Sequence, residues 1–441
     1  MPAPQKRVLT GRLLTFFERP QHAKAAESYG YWSDGALAIE AGKIVWRGAL
    51  ADLPDRYRDW PITDHSENLV LPGFIDAHTH YPQMEVIGSY GEQLLDWLET
   101  YTFRHEARFE DPEHAALIAD AFLEELIQHG VTTAAVYATS HQGSTAAFFE
   151  AAAARKMCMI GGKVLMDRQA PAEICDTPER AYEETKQLIS AWHGKDRLSY
   201  AITPRFAITS SAEQMAVVQS LITEHPSCYV QTHLSENLFE ISETLRLYPE
   251  AEDYTGVYEA YGLLGPKALF GHCIHLSERE RRVLAESQSV AVFCPSSNLF
   301  LGSGLFDYEG LKQAGIPIAF GSDVGAGTSC SMLATAADAY KICQLRGYSL
   351  NPLESFYHLT RGNAEALSLE ASVGTLEVGT EADLVVLDSQ ATHAMSTRMQ
   401  TVSSLAEELF VLQTLGDDRA IAETYIAGQA HKSKSRITQE N

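Results

Sequence analysis

The chain has 441 residues, 45% of them hydrophobic and 21% charged, an ordinary globular balance with ample material for a large core. A formal charge of −24 argues against a protein that holds phosphate backbones or anionic membranes by bulk electrostatics, so neither nucleic acid nor a membrane is an expected partner. Seven cysteines form no C-x-x-C pair and lie mostly in apolar runs, as reduced core thiols of a cytoplasmic protein would. The first twenty residues carry Lys6, Arg7, Arg12 and Arg19 and no apolar stretch of signal-peptide length, and no later run reads as a membrane span.

In chain order, Pro2, Pro4 and Gln5 open a frayed tail. Residues 35–48 then read as a β-hairpin, with Leu37-Ala38-Ile39 and Ile44-Val45-Trp46 separated by a turn at Glu40–Lys43. A first buried strand ends at His78. Further strands are expected at 131–136, 159–166, 198–203, 228–232, 268–271, 290–294 and 317–321, which makes eight. Amphipathic stretches such as 113–129, 178–192, 212–224 and 277–287 separate several of them. Eight strand–helix units predict an α/β fold, a (β/α)8 TIM-like barrel.

Strand character returns near the end at 383–387, 408–412 and 425–428, and Lys432–Asn441 reads as a second frayed tail. The two ends are therefore expected to form a small β-sandwich domain. The predicted organisation is residues 1–70 and 376–441 for that domain and 71–375 for the barrel.

Asp76-Ala77-His78-Thr79-His80 follows the apolar run Leu69–Ile75, and two histidines two residues apart on a strand share one face. Such a pair can chelate a divalent transition metal and leave positions open for water and substrate. Three further candidates close or follow later apolar runs: His233, His272 and Asp323. In a barrel of this kind the chemistry sits at the C-terminal ends of the strands, so these residues, distant in sequence, would converge on one rim.

The chain resembles the amidohydrolase superfamily through Pro72–His80, through His233, His272 and Asp323, and through the tail segments Gly374–Gly379 and Ala382–Asp388. Within it the chain is similar to the guanine deaminase family. That similarity is carried by His80-Tyr81-Pro82-Gln83, Tyr90–Leu98, Ile202–Phe206, Thr232–Asn237 and Cys294–Leu299.

The resemblance implies one zinc ion held by His78, His80, His233 and Asp323, which would lower the pKa of water to about 7. It implies Glu236 as a second acid/base group, Asp323 as proton acceptor, and His272 as a hydrogen-bonding partner of the water. Gln83, Arg205 and Phe206 would bind guanine beside His80, His233, Glu236 and Asp323, with Arg205 aimed at the ring carbonyl. It also implies a homodimer. Another heterocycle, such as 8-oxoguanine, a pterin, a pyrimidine or a triazine, is the alternative substrate, and iron or manganese the alternative metal. A metal-free scaffold is disfavoured because every ligand is present.

Lys163 falls in the third predicted strand, whereas a carboxylated lysine bridging two metals would come from the fourth, so one metal is expected. His275 reads as a rim residue. Neither Gly302-Ser303-Gly304 nor Gly321–Gly327 matches a phosphate loop. The long segment 92–103 after the His-x-His strand reads as a lid.

Overall fold

The computed structural model describes residues 6–91 and 93–432; Pro2, Pro4, Gln5, Glu92 and residues 433–441 lie outside the described residues. Two sheets organise the chain. In the first, β1 (Lys6–Phe16), β2 (Tyr29–Glu40), β3 (Lys43–Ala49) and β4 (Ile62–Pro72) come from the start of the chain. The second is the barrel, formed by β5 (Phe74–His80), β6 (Val131–Tyr137), β7 (Cys158–Gly162), β8 (Leu198–Pro204), β9 (Tyr229–Leu234), β10 (Ala268–His272), β11 (Val290–Phe293) and β12 (Ile318–Phe320). The end of the chain returns to the first sheet as β13 (Leu384–Leu387), β14 (Ile421–Ile426) and β15 (Gln429–Ala430).

All seven strands of the first sheet are hydrogen-bonded into one continuous array built from both chain ends, and Ile44 of the N-terminal hairpin packs with Leu384, Val386 and Tyr425 of the C-terminal strands. The array is continuous through β1, which pairs antiparallel with β2 on one side and parallel with β4 on the other. It thereby joins the N-terminal hairpin to the C-terminal strands through the β4–β13 ladder. The expected strand at 408–412 is a helix, Leu405–Leu415. Ser404 caps it by accepting from the Glu407 amide, Leu409 and Leu412 bury one face, and Glu408 binds Arg12 at 2.5 Å. A short apolar run carries no periodicity that separates strand from helix, and the cap decides here. Lys432 is no frayed residue: it is buried, and its ammonium donates to the Gln128 carbonyl at 2.9 Å.

The barrel strands are parallel throughout. Buried on both faces, they read as near-continuous apolar runs, which is why all eight are visible in sequence. Ala135, Ala201, Leu269 and Ala319 belong to the cluster inside the barrel. Two residues further along the same strands, on the same face, stand Tyr137, Thr203, Gly271 and Gly321. The interior therefore passes from small apolar packing into the functional rim.

Among the described residues β5 and β12 form no ladder, and the seam is closed by other means. The Asn363 amide donates to Ile75 O (2.7 Å) and Phe320 O (2.8 Å), and its oxygen accepts from Phe320 N (2.8 Å). Higher up, Asp323 N donates to His78 O at 2.8 Å and His80 N to Val324 O at 2.9 Å. Asn363→Leu keeps the volume but strands three buried backbone groups, which should cost about 2–4 kcal/mol. A denaturant midpoint unchanged from the parent would refute that role.

Candidate active site

Five side chains meet at the C-terminal rim. Ligand atoms of His78, His233, His272 and Asp323 all lie within 4.8 Å of one another. His78 Nε2 and His80 Nε2 each stand 3.3 Å from Asp323 Oδ1. The structure thus brings His78, His233 and Asp323 of the expected ligands into one group with His272, and sets His80 beside Asp323 at its edge.

The hydrogen bonds behind the histidines set their tautomers. His233 Nδ1 is 2.7 Å from the Arg205 carbonyl and His272 Nδ1 is 3.0 Å from Asn298 Oδ1, so each ring donates there and leaves its Nε2 lone pair free. The ring nitrogen of His78 that faces Asp323 has no hydrogen-bond partner although it is buried. Buried imidazoles that turn ring nitrogens toward a carboxylate fit a divalent transition metal. Burial pushes His80 down to about 3 and holds His233 well below the ordinary histidine range, so neither competes for protons at neutral pH.

Asp76 fixes the loop that carries Asp323. One carboxylate oxygen accepts from the amides of His78 (3.1 Å) and Ser322 (2.9 Å), the other from the Ser322 hydroxyl. Asp323 and His272 both adopt left-handed backbone conformations, at φ 53° and 75°. Non-glycine residues held this way are strained and persist only where their surroundings dictate it. Gly271 is needed for a different reason: a Cβ there would lie 2.6 Å from His78 Cε1.

Glu236 sits three residues beyond His233 at a helix start. The following helix, Leu238–Leu247, opens with a capping box in which Asn237 accepts from Phe239 N while Glu240 reaches back to Asn237 N (3.1 Å) and Glu236 N (2.9 Å). The cap holds the Glu236 backbone, and Ser303 donates to its carboxyl at 2.8 Å. His272 Nε2 lies 3.3 Å from Glu236 and 3.6 Å from Asp323, between the two. Burial, then the nearby Asp323 charge, raises Glu236 to about 8. Burial works in the same sense on Asp323, but the His78 and His80 rings that face it hold it well below the usual carboxylate range. Two carboxyls driven apart in this way can serve as acid and base at one pH.

These groups open onto a pocket that is also lined by Gln83, Arg205 and Phe206. All three are buried, as expected of residues lining a small-molecule site. Leu94, Trp97 and Leu98 from the expected lid cover it, joined by Leu301 and Ala326. Lys163 turns away from the cavity, into an ion pair with Asp176 and a 3.3 Å contact to Glu184. His275 binds the Ser303 carbonyl at 2.8 Å, a rim residue as expected.

Sequence reading missed Glu106, which is buried and binds Arg205 Nη1 through both oxygens, at 2.7 and 2.9 Å. It also missed Ser303, Asn298 and Asp76. Asp76 was within reach, since it shares the Asp-Ala-His-Thr-His motif.

Barrels with such a rim are metal-dependent hydrolases, and this chain belongs to the amidohydrolase family, whose model matches residues 69–430. It is 46% identical to the guanine deaminase of Escherichia coli K12 over 408 residues, 92% of either chain. It is 38% identical to a probable guanine deaminase of Deinococcus radiodurans over 90% of this chain and 92% of that one. Among solved structures, the E. coli guanine deaminase superposes with a TM-score of 0.93 at 44% identity, covering 96% of this chain and 99% of that one. A Clostridium acetobutylicum guanine deaminase with guanine in its active site gives 0.88 at 30% identity, covering 97% of this chain and all of that one.

Gly271→Ala should push the His78 ring off its position and weaken binding of a divalent transition metal by about 10–100-fold, the range seen when a ligand's support is removed. Competition against a chromophoric chelator reads this directly, and unaltered affinity would remove His78 from the ligand set.

Proposed function

We propose that the chain catalyses hydrolysis of guanine to xanthine and ammonia, with one zinc ion held by His78, His80, His233 and Asp323. The observation that carries this reading is a pocket with a metal-ligating cluster and the buried Glu236 carboxyl at one end and a hydrogen-bonding edge, Arg205 with Gln83, at the other. The similarity to guanine deaminases over most of the chain supports it.

Zinc bound there would lower the pKa of water and supply hydroxide at neutral pH. The chain does the rest. Arg205 donates to the ring carbonyl O6, and Gln83 aligns the same edge beside the apolar wall of Phe206. That pose turns the carbon bearing the amine, C2, toward the histidine cluster. Glu236 carries the proton that N3 needs as C2 is attacked, and Ser303 keeps that carboxyl aimed. Asp323 accepts the proton of the water and returns it to the departing amine, while His272, fixed by Asn298, orients the water between the two carboxyls. Adenine presents an amine where guanine presents O6 and would leave Arg205 mispaired, a mismatch worth ~10⁴ in favourable sites.

The organisation we propose keeps residues 71–375 as the catalytic barrel and the two ends, 1–70 and 376–441, as the small domain. All seven cysteines are free and six are buried, which supports a reducing, cytoplasmic setting. No helix among the described residues is long and apolar enough to cross a membrane. The family resemblance extends the reading to a homodimer.

The test is ammonia release from guanine by zinc-loaded protein, with adenine, 8-oxoguanine and a chelated control in parallel. Rapid, chelator-sensitive turnover of guanine is expected; turnover of another ring alone would keep the chemistry and discard the pocket assignment.

Acid catalysis by Glu236 requires its proton, which is lost as pH rises past about 8. Turnover should therefore fall on the alkaline side, with an apparent pKa at or below that value, since a bound cation moves it lower. Glu236→Gln should remove this limb and reduce kcat by about 10²–10⁴ while metal content stays unchanged. An alkaline limb that persists in the variant would assign the proton to another group.

A further inference from the structure

The end of the cavity away from the histidines holds a buried pair of opposite charges. Glu106, closing the short helix Phe103–Glu106, takes Arg205 Nη1 between its two oxygens and accepts from Gln83 Nε2 at 3.3 Å. The side chains of Arg205 and Glu106 are 3% and 1% exposed, so solvent does little to screen either charge. Gln83 Oε1 accepts from Gly325 N at 3.0 Å, so the amide is held at both ends and its orientation is fixed. The Arg205 guanidinium stands 5.4 Å from the Phe103 ring, and its Nε and Nη2 bond no partner among the described residues while the side chain lines the cavity.

An unpaired guanidinium in a dry cavity is a binding site for anions. Paired with a carboxylate it still offers N–H donors, but the local charge is cancelled. A purine lactam is neutral and needs only the donors. Its deaminated product carries an additional acidic ring N–H and becomes an anion in the neutral to mildly alkaline range.

We infer that Glu106 determines specificity by cancelling the charge of Arg205, so that the pocket selects an uncharged heterocycle over its anion. Resting on the guanine reading above, the inference assigns Glu106 two effects through its partners. It holds the Arg205 donors and the Gln83 amide in place, and it disfavours the ionised product that would otherwise lodge against a bare arginine. Glu236, Asp323 and a bound metal at the opposite end also act on an anion, so the contribution of Glu106 is visible only as a change in charge preference between variants.

The experiment measures xanthine binding to the metal-loaded protein by calorimetry, below and above the acid dissociation of the ligand. It compares the parent with Glu106→Gln, Arg205→Gln and the double variant. Glu106→Gln should shift the anion-to-neutral preference toward the anion by about tenfold or more, the scale of one uncompensated charge at close range in a partly screened site. Arg205→Gln should shift it the other way. The double variant, with no net charge at this place, should return to within about threefold of the parent even if both variants bind every ligand more weakly. A purely structural role for the ion pair would lower all affinities and leave the preference constant, and that result overturns the inference. Xanthine binding by no variant overturns it too. If Glu106→Gln fails to fold, Arg205→Gln and the double variant still carry the comparison. Failure of the guanine reading shows separately, as a parent that releases no ammonia from guanine yet responds to these charges.

Discussion

The join between the first and last barrel strands governs the site. β5 and β12 share no ladder among the described residues, yet both deliver groups to the same point: β5 carries His78 and His80, and β12 runs into Asp323. Their relative placement rests on a few directed bonds, from Asn363 at the bottom, from Asp76 to Ser322 in the middle, and between the Asp323 amide and the His78 carbonyl above. Each bond replaces a rung of a missing ladder and sets a ligand. A seam made of a few separate bonds can tolerate the left-handed turn at Asp323 that a regular strand pair could not.

Around that seam the site is graded from one end to the other. Imidazoles and a low-lying carboxylate occupy the strand ends, a carboxyl raised by burial stands beside them, and a compensated arginine closes the far side. Burial raises both carboxyls, and what each group meets decides where it ends. A carboxyl facing another carboxyl rises, one facing histidines falls, and an arginine facing a carboxylate keeps its donors without its field.

How much of this could be read from the chain follows from where the information is local. The eight barrel strands were legible because strands buried on both faces are continuous apolar runs, and the candidate ligands were legible because they end or follow those runs. The helix 405–415 was not, since its short apolar stretch is indistinguishable from a strand until Ser404 is known to cap it. Gln83, Arg205 and Phe206 were marked by the motifs around them. Glu106 was not: it is one acidic residue among 58, and its partner Arg205 lies 99 positions later, a pairing that only the folded chain displays. Ser303 and Asn298 were hidden for the same reason, each acting on a residue from a different strand.

The join between the two sheets bears on how the molecule assembles. β4 leads through Gly73 straight into β5, and β4 pairs with β13 while the Gly73 amide donates to the Asp383 carbonyl at 2.8 Å. The position of the first barrel strand is thus anchored by a segment synthesised near the end of translation. A nascent chain that has emerged only as far as Asp323 holds every side chain of the proposed metal site but lacks Asn363 and the β13 support for β4. Contacts of such long sequence separation slow folding. The barrel cannot acquire its native seam vectorially and must complete it after the C-terminal strands are released.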